Sequence, residues 1–257
     1  MSLDRELYGL DRKINGSQVA RSIGIEGMLR KAEGLPPSFR WFSEVLGVIP
    51  EGMEQGGMIV RTIPDAVLSG ERRYVPLFSL IAEPKDGSPP LLAKLIAESG
   101  LSAEAFVRRN LTHPFTEEFT RLRGEHGLAS EPHAQNVLVR IGDDGTLRPD
   151  FLHRDLGGFT PHLEKRAELG FHDDALPVFD KLDYDYFQDT AAERLDSLVP
   201  YFGRRFLISI QELLPEWRAN GWVAPAEPNA PTLGVGLSEE MKGASRRATR
   251  RGQRARR

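Results

Sequence analysis

The chain has 257 residues and no cysteine, which excludes disulfides, thiolate metal centres and cysteine nucleophiles and agrees with a reducing cytoplasm. Its net charge is −3, but Lys242 to Arg257 hold eight Lys or Arg and no acid, so −3 overall with +8 in that tail leaves −11 on the rest. No stretch nears the ~20 apolar residues needed to cross a bilayer, and Met1-Ser-Leu-Asp-Arg-Glu6 carries charge where a signal peptide has an apolar core. A soluble cytoplasmic protein is expected.

Residues 17 to 33 place Val19, Ile23, Ile25, Met28 and Leu29 at mostly helical spacing, with Ser17 as the cap and Gly24 and Gly27 weakening the pattern. A second helix is expected near Pro37, carrying Phe39, Trp41, Phe42, Val45 and Leu46. Two β-rich runs follow, Met58 to Ile63, ended by Pro64, and Tyr74 to Ile81. Pro89 opens a helix through Leu91, Leu92, Leu95 and Ile96 that stops at Gly100. Ala103 to His126 reads as one helical region interrupted at His113-Pro114, where the ring removes a backbone donor.

Next comes a β-hairpin. Val137, Val139 and Ile141 fall on one side of a strand, Gly142-Asp-Asp-Gly145 makes the turn, and Phe151-Leu152 lies on the return strand. Beyond Pro161 the pattern is helical, with Leu195, Leu198, Phe202, Phe206, Leu207, Ile210 and Leu213 as a buried stripe, and the Pro-rich run Ala224 to Pro231 closes the folded part. The expected fold is α+β: mixed helices around an antiparallel sheet or hairpin, a helical C-terminal region, one folded body over 1–228 and a disordered basic tail over 229–257. A body of this size buries about three quarters of its unfolded surface, ample for a core. The tail has no aromatic residue to stack a base, so nucleic acid is not the expected partner.

The hairpin is flanked by two polar clusters, Glu131-Pro-His133-Ala-Gln135-Asn136 before it and His153-Arg154-Asp155 after it. A hairpin folds the chain back on itself, so the clusters are expected at the same end. Amide and carboxylate oxygens suit the hard cation Mg²⁺, while Arg and His neutralise phosphate oxygens. The bland alternative is a polar rim in which His133 and Asn136 merely close turns. Gln135 lines the pocket or bonds to neighbouring backbone; both readings stay open.

The string E-P-H-A-Q-N-V-L-V, the D-D-G turn and H-R-D-L-G-G-F together resemble the motif of the NRPS-independent siderophore synthetases, the IucA/IucC family: Glu-x-His-x-Gln-Asn, a strand pair, then Arg-Asp with nearby glycine. Asn15-Gly16, Trp41-Phe-Ser-Glu44, Met58 to Ile63 and Val75 to Leu80 extend the resemblance over roughly residues 10 to 225. It implies a palm-like, distantly kinase-like fold that binds ATP and Mg²⁺. It also implies activation of one carboxylate of citrate or a related acid as an acyl adenylate, which an amine, hydroxylamine or hydroxyl then attacks. His133 and Arg154 would contact phosphates as the catalytic pair, Asn136 and Asp155 would hold Mg²⁺ or nucleotide, and Glu131 would support the metal.

The family's triphosphate-gripping elements, Ser-x-Arg-Thr and a Lys-Ser, Thr-Ser, Arg set, have no counterpart in Ser2 to Arg12, so the resemblance implies only the C-terminal catalytic half here. A separately encoded N-terminal half and a homodimer are the implied protein partners. Two other functions stay open: a kinase-like phosphotransferase, against which His133-Ala-Gln135 stands where a catalytic Asp belongs, and a noncatalytic protein that binds an iron carrier or a partner synthetase.

Other features have plainer readings. His113, His126, His162 and His172 form no metal-ligand spacing and read as surface or cap residues. Ser43 and Ser79 lack a nucleophile-elbow setting, and Gly157-Gly158 is too short for a dinucleotide loop. Asp143-Asp144 is most simply the turn. Tyr184, Tyr186 and Phe187 face a cationic amine or pack beside solvated carboxylates.

Overall fold

In the computed structural model the described residues are 6–7 and 10–11 (backbone), 14–52, 56–130, 134–173 and 208–226. Strands β1 (Glu6–Leu7) and β2 (Leu10–Asp11) pair antiparallel. Helix α1 (Gly16–Lys31) follows, capped by Asn15 rather than Ser17: Asn15 Oδ1 accepts from the Gln18 N–H, and the Gln18 side chain accepts from the Asn15 N–H. This reciprocal pair satisfies two of the donors that a helix start leaves open. The helix expected near Pro37 is not there. Phe39–Trp41 is strand β3 and Ser43–Val48 is β4, which pairs antiparallel with β5 (Met58–Thr62). Aromatic and β-branched residues took the extended form because a distant partner strand completes their hydrogen bonds.

The chain continues through α2 (Asp65–Leu68), β6 (Arg73–Pro76) and a 3₁₀ turn over Leu77–Ile81, so only the first half of the Tyr74–Ile81 run is a strand. Helix α3 (Leu91–Ser99) stops as expected at Gly100, whose φ is 69°. Helix α4 (Ala103–Val107) starts at Ser102 and runs through one π turn, Arg108–Thr112, into α5 (His113–His126). The wide turn lies directly before Pro114, where the ring forbids an ordinary helical bond. Then come β7 (Leu128–Ala129), β8 (Val137–Ile141), β9 (Leu147–His153), a 3₁₀ turn at Leu156–Gly158, β10 (Thr160–Pro161), α6 (Leu163–Glu168) and α7 (Ile208–Ala219). The stripe from Leu195 to Leu207, Tyr184 to Phe187 and the basic tail lie outside the described residues.

The chain forms two compact units: Met1–Arg72 with Phe119–Glu131 and Leu152–Leu182, and Arg73–Glu118 with Pro132–Phe151 and Asp183–Arg257. In the first, Ile25, Met28, Leu29, Phe39, Leu122, Leu128, Leu156 and Phe159 make the core. Gly47 of β4 lies so near α1 that a Cβ there would stand 2.3 Å from Val19 Cγ1. The fully buried Arg166 guanidinium donates to Asp173 and to the His126 carbonyl.

In the second unit the core joins Leu92, Ile96, Phe106, Leu111 and Phe115 to Val137, Val139, Phe151, Ile210, Leu214 and Trp217. The expected hairpin forms there: Gly142 N donates to Thr146 O at 2.7 Å, and Asp144 Oδ1 accepts from both the N–H and the hydroxyl of Thr146. β6 extends it, with Val75 opposite Val139. Within this unit β9, β8 and β6 lie side by side in that order. The architecture is mixed α/β. Among the described residues no helix is long and apolar enough to cross a membrane.

Candidate functional site

Gln135 and Asn136 form, with Ala134, the turn that enters β8. The turn is pinned from both sides. Ala134 O accepts from Phe78 N at 3.3 Å, and Val137 is fully buried. Both residues belong to the second unit. Glu131 and His133 lie outside the described residues.

Arg154 and Asp155 leave β9 in the first unit. His153 before them faces inward at 1 % exposure, between the rings of Phe39 at 4.9 Å and Phe159 at 5.8 Å, so its imidazole is core rather than ligand. Asp155 then adopts a left-handed backbone, φ 67° and ψ 66°, the only non-glycine residue among those described to do so. Asp tolerates that region better than most residues. The turn is closed by Gly158 N donating to Asp155 O at 3.0 Å, and it leaves the Asp155 side chain half exposed.

The turn is held by residues that sequence reasoning did not single out as site residues. Glu44, with no exposed side-chain surface, lies opposite Arg61 in the β4-β5 register; its Oε1 accepts from Arg61 Nε at 2.6 Å and from Leu156 N at 3.4 Å. Arg61 NH2 stands 3.7 Å from Asp155 Oδ1. Behind them Glu26 of α1 accepts from Glu44 N and Trp41 Nε1, both at 3.0 Å, from the Ser43 hydroxyl and from Arg30 Nε at 2.6 Å. A line of charge thus runs from α1 through β4 and β5 to Asp155. Only half of the signal was legible: a lone Glu within Trp41-Phe-Ser-Glu-Val-Leu46 demands a partner once it is buried, but the sequence does not name that partner.

A single exposed carboxylate such as Asp155 suits a metal that arrives already bound to phosphate rather than a free-standing metal centre. Mg²⁺ is commonly held by one or two carboxylates, with waters and substrate phosphates completing the octahedron; among the described residues no three His, Asp or Glu gather as a self-sufficient metal site. Gly157 lets the turn pack closely on α1, since a Cβ there would meet the buried Ser22 Oγ at 3.0 Å and the Gln18 carbonyl at 3.6 Å. Within the first unit, Asp155 is the half-exposed carboxylate that could offer oxygen to such an ion.

No protein-family model and no curated protein matches the chain. Solved structures do. The petrobactin biosynthesis protein AsbB of Bacillus anthracis str. Sterne superposes with a TM-score of 0.59 at 20 % identity, over 86 % of this chain and 40 % of that one. The ATP-bound aerobactin synthetase IucA from a hypervirulent pathotype of Klebsiella pneumoniae gives 0.51 at 18 %, over 85 % and 44 %. The chain therefore spans less than half the length of either. At these identities the likeness establishes the fold, which is that of part of an NRPS-independent siderophore synthetase. The resemblance carried by the hairpin motif is borne out at that level.

Proposed function

We propose that this chain carries part of an ATP- and Mg²⁺-dependent ligase of siderophore biosynthesis that joins citrate or a related carboxylic acid to an amine, hydroxylamine or hydroxyl. The observation that carries the reading is the Asp155 turn: a half-exposed carboxylate preset by buried partners, directly after the hairpin of a fold shared with an ATP-bound synthetase. In the proposed reaction an acid oxygen attacks the α-phosphorus of ATP and the bond to pyrophosphate breaks. The nucleophile's lone pair then attacks the acyl carbon, AMP leaves, and the nucleophile gives up its proton.

In this reading Asn136 and Asp155 converge on one metal-nucleotide, with Glu131 behind the metal, His133 and Arg154 on the phosphates, and Gln135 lining the pocket. The bound ion supplies charge neutralisation on the phosphate oxygens. The protein's part is to hold donors and cations where charge builds on the α-phosphate, the arrangement that stabilises such transition states most. The palm-like, distantly kinase-like description, the homodimer and a cytoplasmic setting belong to the same proposal.

The test is purified protein with ATP, Mg²⁺, citrate and hydroxylamine. Hydroxamate and pyrophosphate are the expected products, and both should vanish in Asn136→Ala and Asp155→Asn; ADP in their place would instead mark a phosphotransferase. Because the chain spans under half of the matched proteins, a second reading is a half-site. It would bind ATP alone and turn over only when a polypeptide carrying the rest of the fold is added.

A further inference from the structure

We propose that Arg61 is a further binding residue of this site, one that makes it prefer metal-bound phosphate to free metal; the inference rests on the nucleotide reading above. A guanidinium has five N–H donors. Arg61 commits Nε to Glu44 at 2.6 Å, while NH2 stands 3.7 Å from Asp155 Oδ1, beyond direct hydrogen-bond length. The side chains of Arg61 and Asp155 are 38 % and 52 % exposed, so the pair is open to a ligand from solvent. Glu44 is fully buried and sits opposite Arg61 in the register. The cation is therefore fixed before any ligand arrives, which limits the rotamer entropy lost on binding.

The charges then decide what Asp155 accepts. A guanidinium this close opposes a bare divalent cation on that carboxylate, because like charges repel. The same guanidinium forms charge-assisted hydrogen bonds with phosphate oxygens. A metal that arrives carrying phosphate brings net negative charge and reverses the sign of the interaction. Were Arg61 present only to neutralise Glu44, its loss would shift every ligand's affinity in one direction, through the fold.

The experiment measures dissociation constants of the full chain for Mn²⁺ alone, for ATP in EDTA and for Mn²⁺ with ATP, using water-proton relaxation for the metal and calorimetry for the nucleotide. Arg61→Ala alone would strand the buried Glu44 carboxylate, so the variants are Arg61→Lys and the double change Glu44→Gln with Arg61→Met. In the double variant ATP should bind about 10-fold more weakly with or without metal, the scale of one hydrogen bond to a charged group. Mn²⁺ alone should bind more tightly, by up to about 5-fold, and a Mn²⁺ affinity that does not rise counts against the proposal. Arg61→Lys should recover part of the ATP affinity, as a point charge without the fork. Equal weakening of all three ligands, or unchanged ATP affinity, overturns the proposal and leaves the nucleotide reading standing. Wild-type protein that takes no ATP in either form overturns both.

Discussion

Glu44 Oε1 accepts the backbone N–H of Leu156 across 112 residues, so a buried carboxylate of β4 fixes the residue that follows Asp155. Glu44→Ala removes this acceptor and leaves the Leu156 donor buried. Stability should fall by about 1–3 kcal/mol, read from urea unfolding, and the Leu156 amide should exchange faster. Glu44→Gln keeps an acceptor oxygen and should protect that amide better. Equal exchange in the two variants would mean that the turn does not depend on this bond.

Gly47 tests the packing of β4 on α1. A Cβ there would lie 2.3 Å from Val19 Cγ1 and 3.0 Å from Ile23 Cγ1, so Gly47→Ala should cost about 1–3 kcal/mol by overpacking. Adding Val19→Ala opens the space and should return part of that loss. A fully additive pair of losses would show that the two residues do not meet.

His126, expected as a surface or cap residue, ends α5 and is 3 % exposed. Burial pushes its imidazole below the ordinary value against the opposing pull of Glu125, with Arg166 and Arg121 lowering it further. The folded state therefore holds fewer protons than the unfolded chain, in which histidine titrates near about 6.5. The contribution is complete above that pH and is lost as pH falls through it toward the folded value. Of wild type and His126→Leu, followed by unfolding from pH 7.5 down to 5, wild type should lose stability faster on acidification, whichever is the more stable at pH 7.5. A parallel pair of curves would contradict this.

What the sequence showed was local, and what it concealed was paired over distance. The hairpin from Val137 was readable because its turn, Gly142 to Gly145, lies beside its strands, and Gly145 takes a positive φ of 77° there. α3 was readable for the same reason, with Pro89 before it and Gly100 after. Phe39 to Leu46 looked helical because its apolar spacing suits either form. The deciding partners are His153, whose carbonyl accepts from Phe42 N, and β5. Glu44 and Arg61 went unnoticed as a pair since nothing in their 17-residue separation announces that a hairpin sets them opposite one another. Asp155 was legible as a motif residue, but its left-handed backbone was not, because that conformation is imposed by Leu156, Gly158 and Glu44.

The most direct test of the proposed shared site is a double-mutant cycle on Asn136→Ala and Asp155→Asn, read as the affinity for ATP with Mn²⁺. If both side chains clasp one metal-nucleotide, each single change weakens binding and the pair is coupled by at least about 0.5 kcal/mol. Losses that simply add, within about 0.3 kcal/mol, or a single variant that binds as wild type does, would contradict the account.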